Sequence, residues 1–223
     1  MMETYIALDS ETTGVEPGSR LVEIAAILFE DGKPTDRYIA LVDPDMPIPE
    51  DVTKVHGITN DMVRGECSAE GVLRGLYEWL TDAATLAAAR LPLVIHNAPF
   101  DCGIIAWETQ RARSNLAWEY FDVIDTLDLA RNVDKALRSH RLEKLAEHHQ
   151  LTADGRAHRA ERDALLAGAY YAKVAAQAEH VPDPWGAYVG AYEYSTAFPE
   201  ELLLLPTWVG LGLPFTFTYE DQN

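Results

Sequence analysis

The order in which strand-like and helix-like stretches follow one another limits this chain to one broad architecture. Thr4-Tyr5-Ile6-Ala7-Leu8 has the composition of a buried strand, and Leu21 to Phe29 is a second such run. Gly14 and Pro17-Gly18 mark the turn between them. Asp31-Gly32 is a hairpin signal leading into a third strand over Tyr38–Val42. Pro44–Pro49 reads as an irregular connector, Thr59 as the N-cap of a short helix, and Ala69–Ala89 as a longer helix. Leu93-Val94-Ile95 is short and wholly apolar, which suits a central parallel strand. A helix from Pro99, a strand over Phe121–Asp125 and helices over Thr126–Val133, Leu142–His149 and Arg159–Ala178 complete the pattern. The order β-β-β-α-β-α-β-α-α predicts an α/β domain with a mixed five-stranded sheet flanked by helices.

That domain is expected to occupy residues 1–180. From Val181-Pro182-Asp183-Pro184-Trp185 onward the composition shifts towards Tyr, Trp, Pro and Leu, so residues 181–223 read as a C-terminal extension. The extension closes on a strand-like run, Pro214–Tyr219. Its apolar stretch Leu202–Leu213 is short and broken by Pro206, Gly210 and Gly212, which argues against a membrane span. The N-terminus shows no signal-peptide pattern, and two cysteines, Cys67 and Cys102, argue against a disulfide scaffold. A reducing, cytoplasmic location is the expectation.

Asp and Glu outnumber Lys and Arg by 36 to 18 in the 223 residues, a formal net charge of −18. Broad, nonspecific wrapping of duplex DNA needs a basic surface and is disfavoured. A nucleic acid would have to enter one small cleft where cations offset the local charge.

Four carboxylates and one histidine, all near element ends, carry the chemistry. Asp9 and Glu11, in Asp9-Ser10-Glu11-Thr12-Thr13-Gly14, alternate with Ser10 and so project from the same strand face. Two carboxylates side by side repel unless a cation sits between them. Asp101, in His96-Asn97-Ala98-Pro99-Phe100-Asp101, opens a helix after an apolar strand, where ligands of α/β sheets gather. His158 and Asp163 are five apart, about 140° on a helix, so both can serve one site only if His158 lies on the loop before it. Ala160 and Ala164 leave a small face on which that helix can pack closely. Four such carboxylates can hold two Mg²⁺ or Mn²⁺ ions, and the histidine can take a proton from water, a set able to cut phosphodiester bonds. Each segment alone has a plainer explanation: a polar strand end, a helix cap, a core Phe100, a solvated histidine. Together and in this order they point to chemistry. His140, His148, His149 and His180 have no acidic partner at metal-ligand spacing and read as incidental, while Cys102 reads as a buried helix residue.

These three motifs closely resemble those of the DEDDh branch of the DnaQ-like 3′→5′ exonucleases, the family of the proofreading epsilon subunit of bacterial DNA polymerase III, RNase T and oligoribonuclease. His56-Gly57-Ile58-Thr59, Asp125 to Arg131 and Ser139 to Leu145 resemble secondary signatures of the same family. The resemblance covers roughly Thr4 to Ala178 and implies an RNase H-like fold. It implies that Asp9, Glu11, Asp101 and Asp163 bind two divalent ions, Mg²⁺ or Mn²⁺, with His158 as general base. It further implies that Thr12, Thr13, Gly14, His56, Asn97 and Phe100 line the pocket for the 3′-terminal nucleotide of single-stranded DNA or RNA. His96 is expected to be a pocket or packing residue. The resemblance does not reach the extension, where Trp185, Trp208 and Leu202–Leu205 are candidate anchors for a polymerase, a clamp or a second copy. A final hairpin packed on the same domain is the simpler expectation. DNA is the expected polymer; the alternatives are an RNA 3′-end trimming enzyme and a polymerase-associated interaction subunit.

Overall fold

The computed structural model describes residues 4–16, 18–177 and 183–189. A mixed sheet runs through it in the order β3-β2-β1-β4-β5-β6. The strands are β1 (Thr4–Thr12), β2 (Leu21–Glu30), β3 (Lys33–Leu41), β4 (Leu93–Ile95), β5 (Asp122–Asp125) and β6 (Asp183–Pro184). β1, β2 and β3 form the expected antiparallel meander, and β4 and β5 add to β1 in parallel. The Asp31-Gly32 turn has positive φ at both residues, 57° and 73°, as a tight hairpin turn demands.

The mixed five-stranded sheet is therefore present, with one addition. Asp183–Pro184 pairs antiparallel with β5 as a sixth, two-residue edge strand. Such a strand falls below any pattern that sequence alternation can display, and its proline is tolerated because it lies at an edge. Trp185 follows it into the core, fully buried and stacked on Trp118 with ring centroids 5.5 Å apart. The start of the extension is thus packed on the main body. The candidate anchors Leu202–Leu205 and Trp208, the run Pro214–Tyr219 and His180 lie outside the described residues.

The helices are α1 (Glu50–His56), α2 (Asn60–Val63), α3 (Ala69–Ala87), α4 (Ala98–Arg111), α5 (Thr126–Val133), α6 (Leu142–His149), α7 (Ala160–Val174) and α8 (Gly186–Val189). Thr59 caps α2 as expected, accepting from the Met62 N–H. The sequence pattern does not reveal α1, whose N-cap Pro49 offers no side-chain cap and whose residues are largely exposed, so no apolar period announces it. No helix among the described residues is long and apolar enough to cross a membrane.

Alternation along β1 sorts the core into two layers. Ile6 and Leu8 face α3 and α4, with Trp118 and Trp185. Tyr5 and Ala7 face α7, with Ile124, Leu129 and Leu145. α7 lies close to the sheet because Ala160, Ala164 and Gly168 are small residues four apart. A Cβ on Gly168 would fall 2.4 Å from the Phe29 ring, and the Tyr5 hydroxyl donates to the Gly168 carbonyl at 2.9 Å. That approach fixes the height of Asp163 over the strand face carrying Asp9 and Glu11.

Candidate active site

β1 outlasts its parallel neighbour. Leu8 pairs with Ile95, the last residue of β4, and Asp9–Thr12 continue beyond it. The chain leaves β4 through His96 and Asn97 into α4, so the first turn of α4 fills the space beside Asp9. Asp125, at the end of β5, holds this junction. Its carboxylate accepts from the Asn97 and Ala98 N–H groups at 3.0 and 3.1 Å and from Leu127 at 2.8 Å, capping α5 as it pins the start of α4. Asn97 itself sits in the left-handed region at φ 67°.

Asp9, Glu11 and Asp163 bring carboxylate oxygens within 4.8 Å of one another. Asp101 is fully buried, and one of its oxygens accepts from the Ser10 hydroxyl at 2.6 Å. Burial and mutual repulsion act on the whole set. Burial pushes Asp9 well above the ordinary carboxylate range, and the charges of Asp101, Glu11 and Asp163 push it further. Glu11 rises to about 8 through burial and then Asp163 and Glu23. Asp101 rises to about 7 through burial, although the Ser10 hydrogen bond opposes the shift. Burial, then Glu143, raises Asp163. Two buried acids, Asp101 and Asp163, and two half-buried ones, Asp9 and Glu11, held together against their own repulsion suit hard divalent cations, which favour oxygen ligands. The positive group now against Asp163 is Arg162, whose guanidinium reaches Oδ1 at 3.0 Å.

His158 lies off the helix, as its spacing from Asp163 requires. It is exposed, stands two residues before α7, and has φ +56°. Its N–H donates to Asp163 Oδ2 at 3.1 Å, and a ring nitrogen lies within 4.8 Å of Asp163 and Glu143 ligand oxygens. A non-glycine residue in this region is strained and persists only where its surroundings hold it. Two arginines do so. Arg156 donates to the Lys54 and Val55 carbonyls at 2.9 and 3.4 Å, closing the end of α1. Arg159 forms a two-pronged ion pair with Glu23 on β2, and the same carboxylate accepts from the Ala160 N–H at 3.0 Å.

The expected nucleotide-pocket residues are placed less uniformly. Thr12 and Thr13 are buried with their hydroxyls engaged: Thr12 donates to the Gly14 carbonyl at 2.6 Å, and Thr13 accepts from the Arg20 N–H at 2.9 Å and donates to Met46 Sδ at 3.8 Å. His56 is buried, and its Nδ1 accepts from the Ile58 N–H at 2.9 Å, so Nε2 carries the proton. Nε2 is enclosed and turned towards the Thr12 backbone, its nearest polar contact. Asn97 and Phe100 share the start of α4 with Asp101 and are partly exposed. His96 packs against Thr126 at 3.0 Å, and burial lowers it to about 4, which keeps it neutral. Cys102 is buried in α4 as expected.

A sequence model of the exonuclease family matches residues 6–171, a span that includes all five motif residues. The chain belongs to this exonuclease family. Its sequence is 30% identical over 184 residues to the 3′-5′ exonuclease DinG of Bacillus subtilis (strain 168), covering 82% of this chain and 19% of that protein. It is 34% identical over 163 residues to the PolC-type DNA polymerase III of Listeria monocytogenes, covering 69% of this chain and 11% of the polymerase. The exonuclease domain thus spans a fifth or less of these relatives. Among solved structures it superimposes on exonuclease X in complex with 5′ overhanging duplex DNA (TM-score 0.62, 24% identical, 83% of this chain and 99% of that one). It also superimposes on the nuclease domain of 3′hExo, a DEDDh family member, bound to rAMP (TM-score 0.67, 17% identical, 82% and 96%). These likenesses show the RNase H-like fold.

Four residues that support the exonuclease site escaped the sequence reading. Ser10 lies on the strand face opposite Asp9 and Glu11, and it is from that face that it holds Asp101. Glu23 lies opposite Glu11 in the β1–β2 register and anchors α7. Glu143 on α6 shares the His158–Asp163 neighbourhood. Arg156 straps the His158 loop. A charged residue inside an otherwise apolar strand was the one signal available, and it pointed to Glu23.

Proposed function

We propose that this exonuclease hydrolyses single-stranded nucleic acid from its 3′ end, releasing nucleoside 5′-monophosphates, with DNA as the polymer. The observation that carries the reading is the convergence of Asp9, Glu11 and Asp163 from two distant elements, with Asp101 beside Asp9 and every one of the four acids raised. Asp9, Glu11, Asp101 and Asp163 would hold two divalent ions, Mg²⁺ or Mn²⁺. Bound there, the ions would supply Lewis-acid activation of water and phosphate. His158, exposed beside Asp163, takes the proton from the attacking water as the bond between phosphorus and the 3′ oxygen breaks. Asn97 and Phe100, with the Thr12–Gly14 loop braced by His56, line the space for the terminal nucleotide.

A partly exposed stacking side chain, Phe100, suits an unpaired end better than a duplex. The strongly acidic surface favours short engagement with the polymer, or delivery by a partner. The kinship with PolC-type polymerases supports association with a polymerase in proofreading or repair. In this reading residues 1–180, with the packed Asp183–Trp185 start of the extension, supply catalysis, and the remainder of residues 181–223 provides the docking or self-association segment. A reducing compartment such as the cytoplasm suits its free cysteines.

The test is a parallel digestion of 5′-labelled single-stranded DNA, duplex DNA and short RNA with Mg²⁺ or Mn²⁺. Stepwise shortening of single-stranded DNA, abolished by EDTA and by Asp9→Ala or His158→Ala, is expected. Preferential shortening of RNA would move the assignment to RNA 3′-end trimming. Wild-type rates in either variant would overturn the site.

A further inference from the structure

A second cluster of metal-ligating side chains lies outside the acidic site. Asp134 is the C-cap of α5, and His148 and His149 are the last residues of α6. Sequence spacing alone gives these histidines no acidic partner; the packing of both α5 and α6 on α7 brings their C-terminal ends together and supplies one. One ligand atom from each of the three lies within 4.8 Å of the others. His149 Nε2 is 2.9 Å from Asp134 Oδ2, and His148 Nε2 is 3.9 Å from Oδ1. The two imidazoles meet edge to face with centroids 4.8 Å apart, so successive residues turn their Nε2 atoms towards one carboxylate.

These separations straddle what a tetrahedral ion requires. Bonds of about 2.0–2.1 Å put neighbouring ligand atoms about 3.3 Å apart. A shift of several tenths of an ångström at each histidine reaches that value. The carboxylate is already oriented, because the Tyr170 hydroxyl on α7 donates to Asp134 Oδ2 at 2.7 Å, the outer-shell contact that metal-binding carboxylates use. The Asp134 side chain is only 7% exposed, whereas that of His148 is 51% exposed. His148 also lines an open cleft of about 400 Å³ with Arg138, Ser139, Lys144 and Glu147, through which an ion can reach it from solvent.

We propose that Asp134, His148 and His149 form a binding site for one transition-metal ion of the Zn²⁺ type. Two imidazoles and one carboxylate favour zinc, cobalt or nickel over magnesium, whereas the all-oxygen acidic cluster has the opposite preference. The chain would thereby sort two kinds of metal between two sites. The ion ties the end of α5 to the end of α6 and, through Tyr170, to α7. Those last two helices flank the loop that carries His158, so the site fastens both ends of that loop.

The experiment is titration of the full chain carrying Asp9→Ala with ZnCl₂, by calorimetry and thermal unfolding in millimolar Mg²⁺, followed by Co²⁺ absorption spectroscopy. The expected result is one Zn²⁺ per chain that Mg²⁺ does not displace, a raised Tm, and the intense visible bands of four-coordinate Co²⁺. His148→Ala, made at a half-exposed side chain, weakens binding by at least about tenfold. His149→Ala abolishes binding and the Tm shift. The proposal is overturned if the parent takes up no Zn²⁺, if Mg²⁺ displaces it, or if both histidine variants keep the parental stoichiometry and shift. Any of these leaves Asp134, His149 and Tyr170 as a hydrogen-bonded network alone.

Discussion

Glu23→Ala tests the argument that a buried strand residue sets the start of α7. Glu23 is 1% exposed and accepts three hydrogen bonds, two from the Arg159 guanidinium and one from the Ala160 N–H. Removing one partner of a buried pair costs about 3–5 kcal/mol. The Arg159 side chain is 33% exposed, so water recovers part of its solvation and the lower end applies, about 3 kcal/mol. One opposing effect reduces this further: the Glu23 charge raises Asp9 and Glu11, and its loss relieves that repulsion. Equilibrium urea unfolding in EDTA of Glu23→Ala, Arg159→Ala and the double variant measures the balance. The double variant should cost less than the two single variants summed, because neither charge is then left alone. Activity of Glu23→Ala should fall mainly in kcat, since His158 and Asp163 sit on either side of the freed Ala160 N–H. A cost below about 1 kcal/mol, or strict additivity, would refute the reasoning.

Stability without metal should fall as pH rises. The folded chain keeps protons on Asp9, Glu11 and Asp101 that the unfolded chain releases, so the loss begins near the ordinary carboxylate values and continues to about 7 for Asp101 and about 8 for Glu11. The slope is about 1.4 kcal/mol per pH unit for each proton so held, seen as a falling Tm in EDTA that saturating Mn²⁺ flattens; a Tm rising across this window would contradict the burial of the cluster. Gly57→Ala should lower both stability and activity, because Gly57 has φ +78° and its new Cβ would meet Arg156 Nη1 at 1.9 Å. Arg156→Ala should reproduce the activity loss without the backbone strain of about 1–2 kcal/mol, a difference that unfolding curves resolve. Trp185→Ala should cost about 3–5 kcal/mol, as truncation of a buried tryptophan does, and an unchanged unfolding midpoint would show that the extension adds nothing to the fold.

Patterns that repeat over two to five residues carried most of what was legible. Alternation placed Asp9 and Glu11 on one face, and the 3.6-residue period put His158 off the helix that bears Asp163. Small residues four apart announced the close packing of α7, which Gly168 extends. The same patterns said nothing of α1, whose exposed sequence lacks an apolar stripe, or of β6, which is two residues long.

By itself the sequence determined the order of the strands and helices, the strand face of each β1 side chain and the residue types able to bind metal and move a proton. Tertiary structure decided the partners: Ser10 for Asp101, Glu23 for Arg159, Asp134 for His149 and Tyr170. The physical reason is range. Backbone geometry dictates the direction of a side chain within a few residues. A hydrogen bond to a group 15 to 136 residues away exists only because tertiary packing brings their elements together.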